Sequence, residues 1–467
     1  MGKGGEASQT SDKPLRKISI EELTKHRFPH DAWLAYKGRV YDISNWEDHP
    51  GGSVIFTHAG DDCTDIFAAF HPLTAVKDMQ KYEIGILEER IVDSVEKSTT
   101  LIKTQKQKDF EKAYRELRNK LITMGMFNAS YSYYVFKCAS NLAILGLSVY
   151  LATCFKSFAV NMVGAVVLGL FWQQCGWLAH DFLHHQVFKN RFYGDVAGLI
   201  IGDLFQGFSV AWWKSKHNSH HAVPNLHASV EGACDGDPDI DTMPILAWTL
   251  KMAESARNSA TGRMLIQFQA FFYFPVLLFA RLAWAHQSWV FVWGGYGQHS
   301  VQAASIDRKK NKYVTAERAL LVLHYIGLLW IMSHMHVFNA IMYFLVAQTS
   351  CGLMLALVFG LGHNGMAVYP ANERPDFWKL QVTTTRNVTS NWFSDWFCGG
   401  LQYQVDHHLF PSLPRHNLGK VHKLVESFCK EQGVSYHEAD MINGNIEVLQ
   451  HLAKVSVEFI KEFPAMQ

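Results

Sequence analysis

The chain has 467 residues, 48% of them hydrophobic, a formal net charge of +1 and a mean hydropathy of −0.04. This length allows more than one domain, and the balanced charge excludes the basic footprint of a nucleic-acid binder. The hydropathy average conceals segregation, because long apolar runs lie between charged ends, so a membrane body with soluble flanks is expected. Eight scattered cysteines without a CxxC pair fit reduced thiols on cytosol-facing or intramembrane surfaces.

Residues 1–17 are small, polar and charged and are expected to be disordered. They hold no apolar run of the kind a cleaved secretory signal needs. A compact domain is expected over 18–90. Ser19 and Glu22 read as a helix start, and Ala32–Tyr36, Lys37-Gly38 and Arg39–Ile43 read as strand, turn and strand. His49-Pro50-Gly51-Gly52 follows, and then Asp65-Ile66-Phe67-Ala68-Ala69-Phe70-His71.

This stretch resembles cytochrome b5, whose signature is HPGG after a Tyr-Asp-Ile strand. The resemblance implies haem b held between His49 and His71, with His58 a competing second ligand. Two axial imidazoles leave the iron no open position, which suits electron transfer. Without CxxCH the haem is held non-covalently. The domain carries 7 Lys+Arg against 13 Asp+Glu, and Glu47, Asp48, Asp61, Asp62 and Asp65 make an acidic rim expected to steer a basic redox partner.

A basic linker, 91–133, includes Lys97, Lys103, Arg115 and Arg118 and a helical pattern over Asp109–Met124, expected near the membrane surface. Two apolar runs, 134–155 and 158–179, each reach the length a bilayer helix needs, and Lys156-Ser157 turns between them. The stretch Val196–Val210 is interrupted by Asp203 and Gln206 and reads as interfacial or buried. Arg318–His363 is long enough for two further spans. Parity then requires 264–293 to lie in the interface or re-enter, with Trp284, Trp289 and Trp293 at headgroup depth. The chain ends in a cytosolic helical tail, 431–467.

Histidines gather where these runs stop. His180 and His184 share a helix face, His217, His220 and His221 follow, and then His363, His407 and His408. Eight imidazoles are too many for one ion and suit two. Imidazole is a good donor to iron, and an adjoining haem supplies electrons that zinc would leave unused. Between the boxes, Asp235–Asp241 alternates aspartates, but Pro238 and the missing distal glutamate exclude an EF-hand. That segment reads as an ordered polar loop.

A b5 domain followed by HDFLHH, HNSHH and QVDHH resembles the front-end fatty-acyl desaturases, with local wording most similar to Δ6-desaturases. The resemblance implies a mainly α-helical integral membrane protein of about four transmembrane helices with a cytosolic helical cap, plus the small α+β domain. The desaturase domain would cover 134–430. It further implies two non-haem irons on His180, His184, His217, His220, His221, His363, His407 and His408, with Gln404 a weak ligand or an orienting group. The implied chemistry uses O2 and electrons from NADH through a cytochrome b5 reductase, on an acyl-lipid or acyl-CoA, in the endoplasmic reticulum membrane with both termini cytosolic. Trp172, Trp177, Trp212 and Trp213 are candidate channel residues, and Arg386, Arg415 and Lys420 candidate headgroup anchors. A sphingolipid long-chain-base Δ8-desaturase shares this pattern. A membrane-tethered haem electron carrier is the reading from a different class.

Overall fold

The sheet of the N-terminal domain contains β1 (Arg16–Ile18), β2 (Arg27–Phe28), β3 (Asp31–Tyr36), β4 (Arg39–Asp42) and β5 (Glu83–Leu87), in the order β1-β5-β4-β3-β2. Lys37 and Gly38 both take positive φ, 49° and 75°, as a two-residue hairpin between right-twisted strands requires. The computed structural model describes residues 15–464 apart from 45, 47–48, 95–98, 229–233 and 295–300. The tail expected to be disordered lies outside the described residues up to 14, as do Glu47, Asp48 and Lys97. Arg16 and Lys17, however, are ordered, because β5 needs an edge partner and pairs with them through Gly85 and Ile86.

Four helices are long and apolar enough to cross a membrane: Tyr131–Cys154, Phe158–Leu183, Val314–Met332 and Val337–His363. The second and fourth lie closest. A Cβ on Gly169 would stand 3.0 Å from the Ala347 carbonyl and the Cys351 amide, so glycine permits the backbone approach on which helix association in lipid depends. Both helices end in histidine boxes at the same rim, as the parity argument requires.

Among the described residues, neither doubtful segment contains a single helix long and apolar enough to cross a membrane by itself. Residues 260–293 form three shorter helices, Ala260–Gln267, Gln269–Leu277 and Ala280–Trp293. Trp289 and Trp293 stack 4.0 Å apart and remain partly exposed. Half-buried Trp284 packs on Phe208 and Phe359. Arg191–Gln206 and Val210–Ala222 meet at a 108° bend, the shape of a broken or re-entrant segment. Asp203 and Gln206 are buried in it.

The linker helix, Gln105–Thr123, packs one side on the rest of the protein. Thr104 and Gln107 form its capping box. Phe110 stacks on Trp378 and the Tyr114 hydroxyl donates to the Leu409 carbonyl over 3.0 Å, so protein covers its apolar side. With Arg415–Glu431 and Met441–Glu462 it belongs to the cap over the boxes.

Asp61, Asp62 and Asp65 of the acidic rim face inward, which corrects the expectation of an external basic partner at those three. Asp65 accepts from Arg115 at 2.7 and 3.0 Å, Lys103 reaches Asp62 over 3.5 Å, and Asp61 is paired with Arg374. Arg118 donates to the Ala68 carbonyl and Arg374 to that of Thr57. Ala222, Val223 and Leu226 join one apolar cluster with Phe56, Ile66 and Phe67. The chain's own cations and an apolar seam thus dock the haem-type domain on the membrane body.

Candidate active site

His180 and His184 sit one turn apart at the end of the second span, where the His184 amide still donates to the His180 carbonyl over 2.9 Å. His185 takes φ 56° and turns away from this pair. His217, His220 and His221 occupy the end of a helix capped by Ser209, whose hydroxyl accepts from the Trp212 amide. His363 closes the fourth span, and Gln404, His407 and His408 share the helix Gln404–Leu409.

The fold brings all eight predicted imidazoles into two adjoining nests. In one, ring nitrogens of His180, His184, His217, His221 and His407 lie within 4.8 Å of one another; in the other, those of His220, His363 and His408 do. The second nest shows its protonation through its supports. His220 Nδ1 donates to Asp237 over 2.9 Å, His408 Nδ1 to Gln381 Oε1 over 2.9 Å, and His363 Nδ1 to the Thr384 carbonyl over 3.2 Å. With Nδ1 held by these oxygens, each ring turns Nε2 inward, the orientation that outer partners impose on metal-binding histidine, and against the downward pull of burial Asp237 raises the pKa of His220. His180 Nε2 and His408 Nε2 are buried without any hydrogen-bond partner. Burial also holds His407 and His408 well below the usual imidazole pKa. Eight buried imidazoles with inward Nε2 atoms, two of them without any partner, fit two imidazole-loving metal ions.

Gln404 is buried with its side-chain amide 2.7 Å from His363 Nε2, so it adjoins the three-histidine nest. Asp237 and Gln381 are functional positions that sequence reasoning missed. The alternating aspartates were the available signal for the first, but the Asp237–His220 contact depends on tertiary structure. Asp181 lies beside His180 and is tied to Arg415 over 2.6 Å, joining the first box to the segment after the third.

In the N-terminal domain the His49 and His71 rings face each other with centroids 5.9 Å apart. Their Nδ1 atoms face the carbonyls of Gly52 at 3.0 Å and Phe67 at 3.2 Å, which again leaves Nε2 free for a metal. A Cβ on Gly51 would press to 2.7 Å from His49 Cε1, so the first glycine of the turn makes room for the ring. Burial pushes His71 down to about 4 and lowers His49 as well. His58, the competing ligand, contacts the Thr57 hydroxyl through Nδ1 at 3.0 Å. A cavity of about 560 Å³ surrounds these rings, walled by apolar groups such as Val54, Phe67 and Phe70.

Comparison with known proteins places both halves. Residues 19–88 match the cytochrome b5-like heme/steroid binding domain, and residues 157–440 match the fatty acid desaturase family. The chain belongs to the b5-fused fatty acid desaturases. It is 36% identical to an acyl-lipid (9-3)-desaturase of Physcomitrium patens over 94% of this chain and 78% of the relative. It is 32% identical to a Delta(8)-fatty-acid desaturase of Euglena gracilis (89% and 93%) and 33% identical to a Delta(6)-fatty-acid desaturase of Caenorhabditis elegans (87% and 92%). The b5-like match implies haem in the first domain, and the histidine nests of a desaturase suggest non-haem iron.

The desaturase has a second cavity, of about 430 Å³, that runs from the nests into apolar protein. His180, His217, His220 and His363 stand at its polar wall, and Trp177, Trp212, Trp213, Trp284 and Phe359 line the rest. Trp172 is not among them, because its ring is covered by Arg281, whose guanidinium carbon lies 3.7 Å from the ring centroid. Two candidate anchors also fail. Buried Arg386 pairs with Glu447 and donates to the Leu361 carbonyl, and buried Arg415 pairs with Asp181. Both guanidiniums hold the cap to the boxes, while Lys420 is exposed.

Proposed function

We propose that this desaturase inserts a cis double bond at Δ6 of an unsaturated C18 acyl chain, linoleoyl or α-linolenoyl, carried on a lipid or on CoA. Two irons are assigned to the eight histidines of the nests, with Gln404 beside the second, and haem b to His49 and His71. Electrons are assigned to NADH through a cytochrome b5 reductase, and the catalytic side and both termini to the cytosolic face of the endoplasmic reticulum. The observation that carries the reading is the pair of nests of inward-facing Nε2 atoms at the polar wall of an acyl-sized apolar cavity. Bound there, the irons supply reduction of O2 and removal of hydrogen atoms from a methylene pair that no side-chain base can deprotonate.

The chain's residues supply the rest. Asp237, Gln381 and the Thr384 carbonyl keep protons on the outer nitrogens of His220, His408 and His363, so their inner nitrogens stay donors. Trp177, Trp212 and Trp284 give the acyl chain an apolar, water-excluding wall, and the shape of that wall selects which carbons approach the metals. The local wording of the boxes and the relative named as a Delta(6)-desaturase support Δ6. The relative named as a Delta(8)-fatty-acid desaturase supports a Δ8 position instead, and the long-chain-base Δ8 reading, carried by the shared box pattern, is the alternative. Yeast expressing the chain and fed linoleate or α-linolenate should accumulate products with a new bond at C6, located by mass spectrometry. New bonds only in sphingoid bases would overturn the assignment.

A further inference from the structure

The haem-type cavity is not closed by its own domain. One wall belongs to the membrane body, through Leu183, His184, His185, Arg191, Lys214 and Asn218. Among the described residues lining the cavity, every arginine and lysine comes from this foreign wall, whereas the b5 side offers only Asp78 as a charged side chain other than its histidines. Haem b carries two carboxylates at one edge, and when two imidazoles take the axial positions that edge must point out of the apolar pocket. Carboxylates leaving the b5 pocket toward the membrane body meet cations there and nowhere else on the described lining.

Arg191 is fixed for the task. Its guanidinium donates to the Phe70 carbonyl over 2.8 Å, immediately before His71, which leaves other N–H groups of the fork to bind a carboxylate. Lys214 holds Asp195 over 3.0 Å while lining the same cavity. We propose that Arg191 and Lys214 of the desaturase domain bind the carboxylates of the haem carried by the b5 domain, so that the cofactor site is complete only when the two domains are docked. The proposal rests on haem lying between His49 and His71, and it deepens that reading. The haem edge would then share a cavity with His184, a member of the five-histidine nest.

The test uses the full-length protein loaded either with haem b or with its dimethyl ester, which has no carboxylate charge. R191Q combined with K214Q should lower the midpoint potential of haem b, because uncompensated carboxylates favour the ferric ion. It should also speed haem loss to apomyoglobin by about tenfold, as the loss of a charge-assisted hydrogen bond implies. With the dimethyl ester the variant should lose haem no faster than the parent and shift the potential by much less than with haem b, and R191K should recover much of the parent's behaviour with haem b. An unchanged potential and loss rate with haem b, or equal changes with both haems, would overturn the pairing. Either failure leaves the bis-imidazole spectrum intact, whereas an error in the His49/His71 reading would appear separately as H49A retaining that spectrum.

Discussion

Nε2 of His220 stands 3.2 Å from Nε2 of His363, and the Gln404 side-chain amide lies 2.7 Å from the same His363 nitrogen. Asp237 and the Thr384 carbonyl have drawn the protons to the opposite nitrogens. A metal ion that takes both inner nitrogens needs them free of protons, with the ring protons held on the outer Nδ1 atoms. Asp237 is therefore as much a part of the metal chemistry as the histidine it supports.

Replacing Asp237 with Asn should leave the fold and the haem spectrum intact while freeing the tautomer of His220. Iron content and desaturation should both fall, activity by about 10–100-fold, as for other outer-shell partners of metal-bound histidine. Metal analysis and product yield on the same preparation check this. Unchanged values for both would remove Asp237 from the site.

His58 offers a pH test. Burial and then Arg374 push it down to about 3, against an opposing pull from Asp61. Between that value and the ordinary 6.5, the unfolded chain binds a proton that the folded chain refuses. Stability is thus complete above the unfolded pKa and falls as pH drops toward the folded one. H58L should keep the haem and flatten the acid loss of the Soret melting transition by about 1.4 kcal/mol per pH unit. Loss of the bis-imidazole spectrum in H58L would instead make His58 a ligand.

Arg374 and Asp61 form a buried pair across the domain seam. R374Q leaves Asp61 buried and short of a partner, a change that costs about 3–5 kcal/mol. Undocking should slow substrate-dependent reoxidation of the haem while haem and non-haem iron stay at parental levels. Stopped-flow traces at the Soret band read this directly, and parental traces would show that the pair does not hold the working arrangement.

The predicted spans and all eight box histidines were legible because apolar run length and helical spacing are local properties of a sequence. What stayed hidden was partnership. Asp61, Asp62 and Asp65 read as a rim waiting for a basic protein, yet their cations are Arg374, Lys103 and Arg115 of the same chain. Arg386 and Arg415 read as free anchors for the same reason, and Glu447 and Asp181 occupy them. Charge can be counted along a chain, but which opposite charge meets it depends on contacts across hundreds of residues.

Trp284 sits where shape should select the reacting carbons, its ring 5.6 Å from that of Phe359 and 6.2 Å from that of Phe208. W284A removes about 3–5 kcal/mol of packing and widens the channel. New double bonds should spread over neighbouring positions while iron content holds, as gas chromatography with mass spectrometric bond location would show. A single unchanged position would place selection elsewhere.

The paired metal site is tested most directly by counting metals in the purified, active, full-length protein, with iron and zinc measured by plasma mass spectrometry and haem by its pyridine spectrum. Two non-haem irons for each haem is the result expected from nests of five and three histidines. Zinc in their place, or a single non-haem iron in fully active protein, would contradict it.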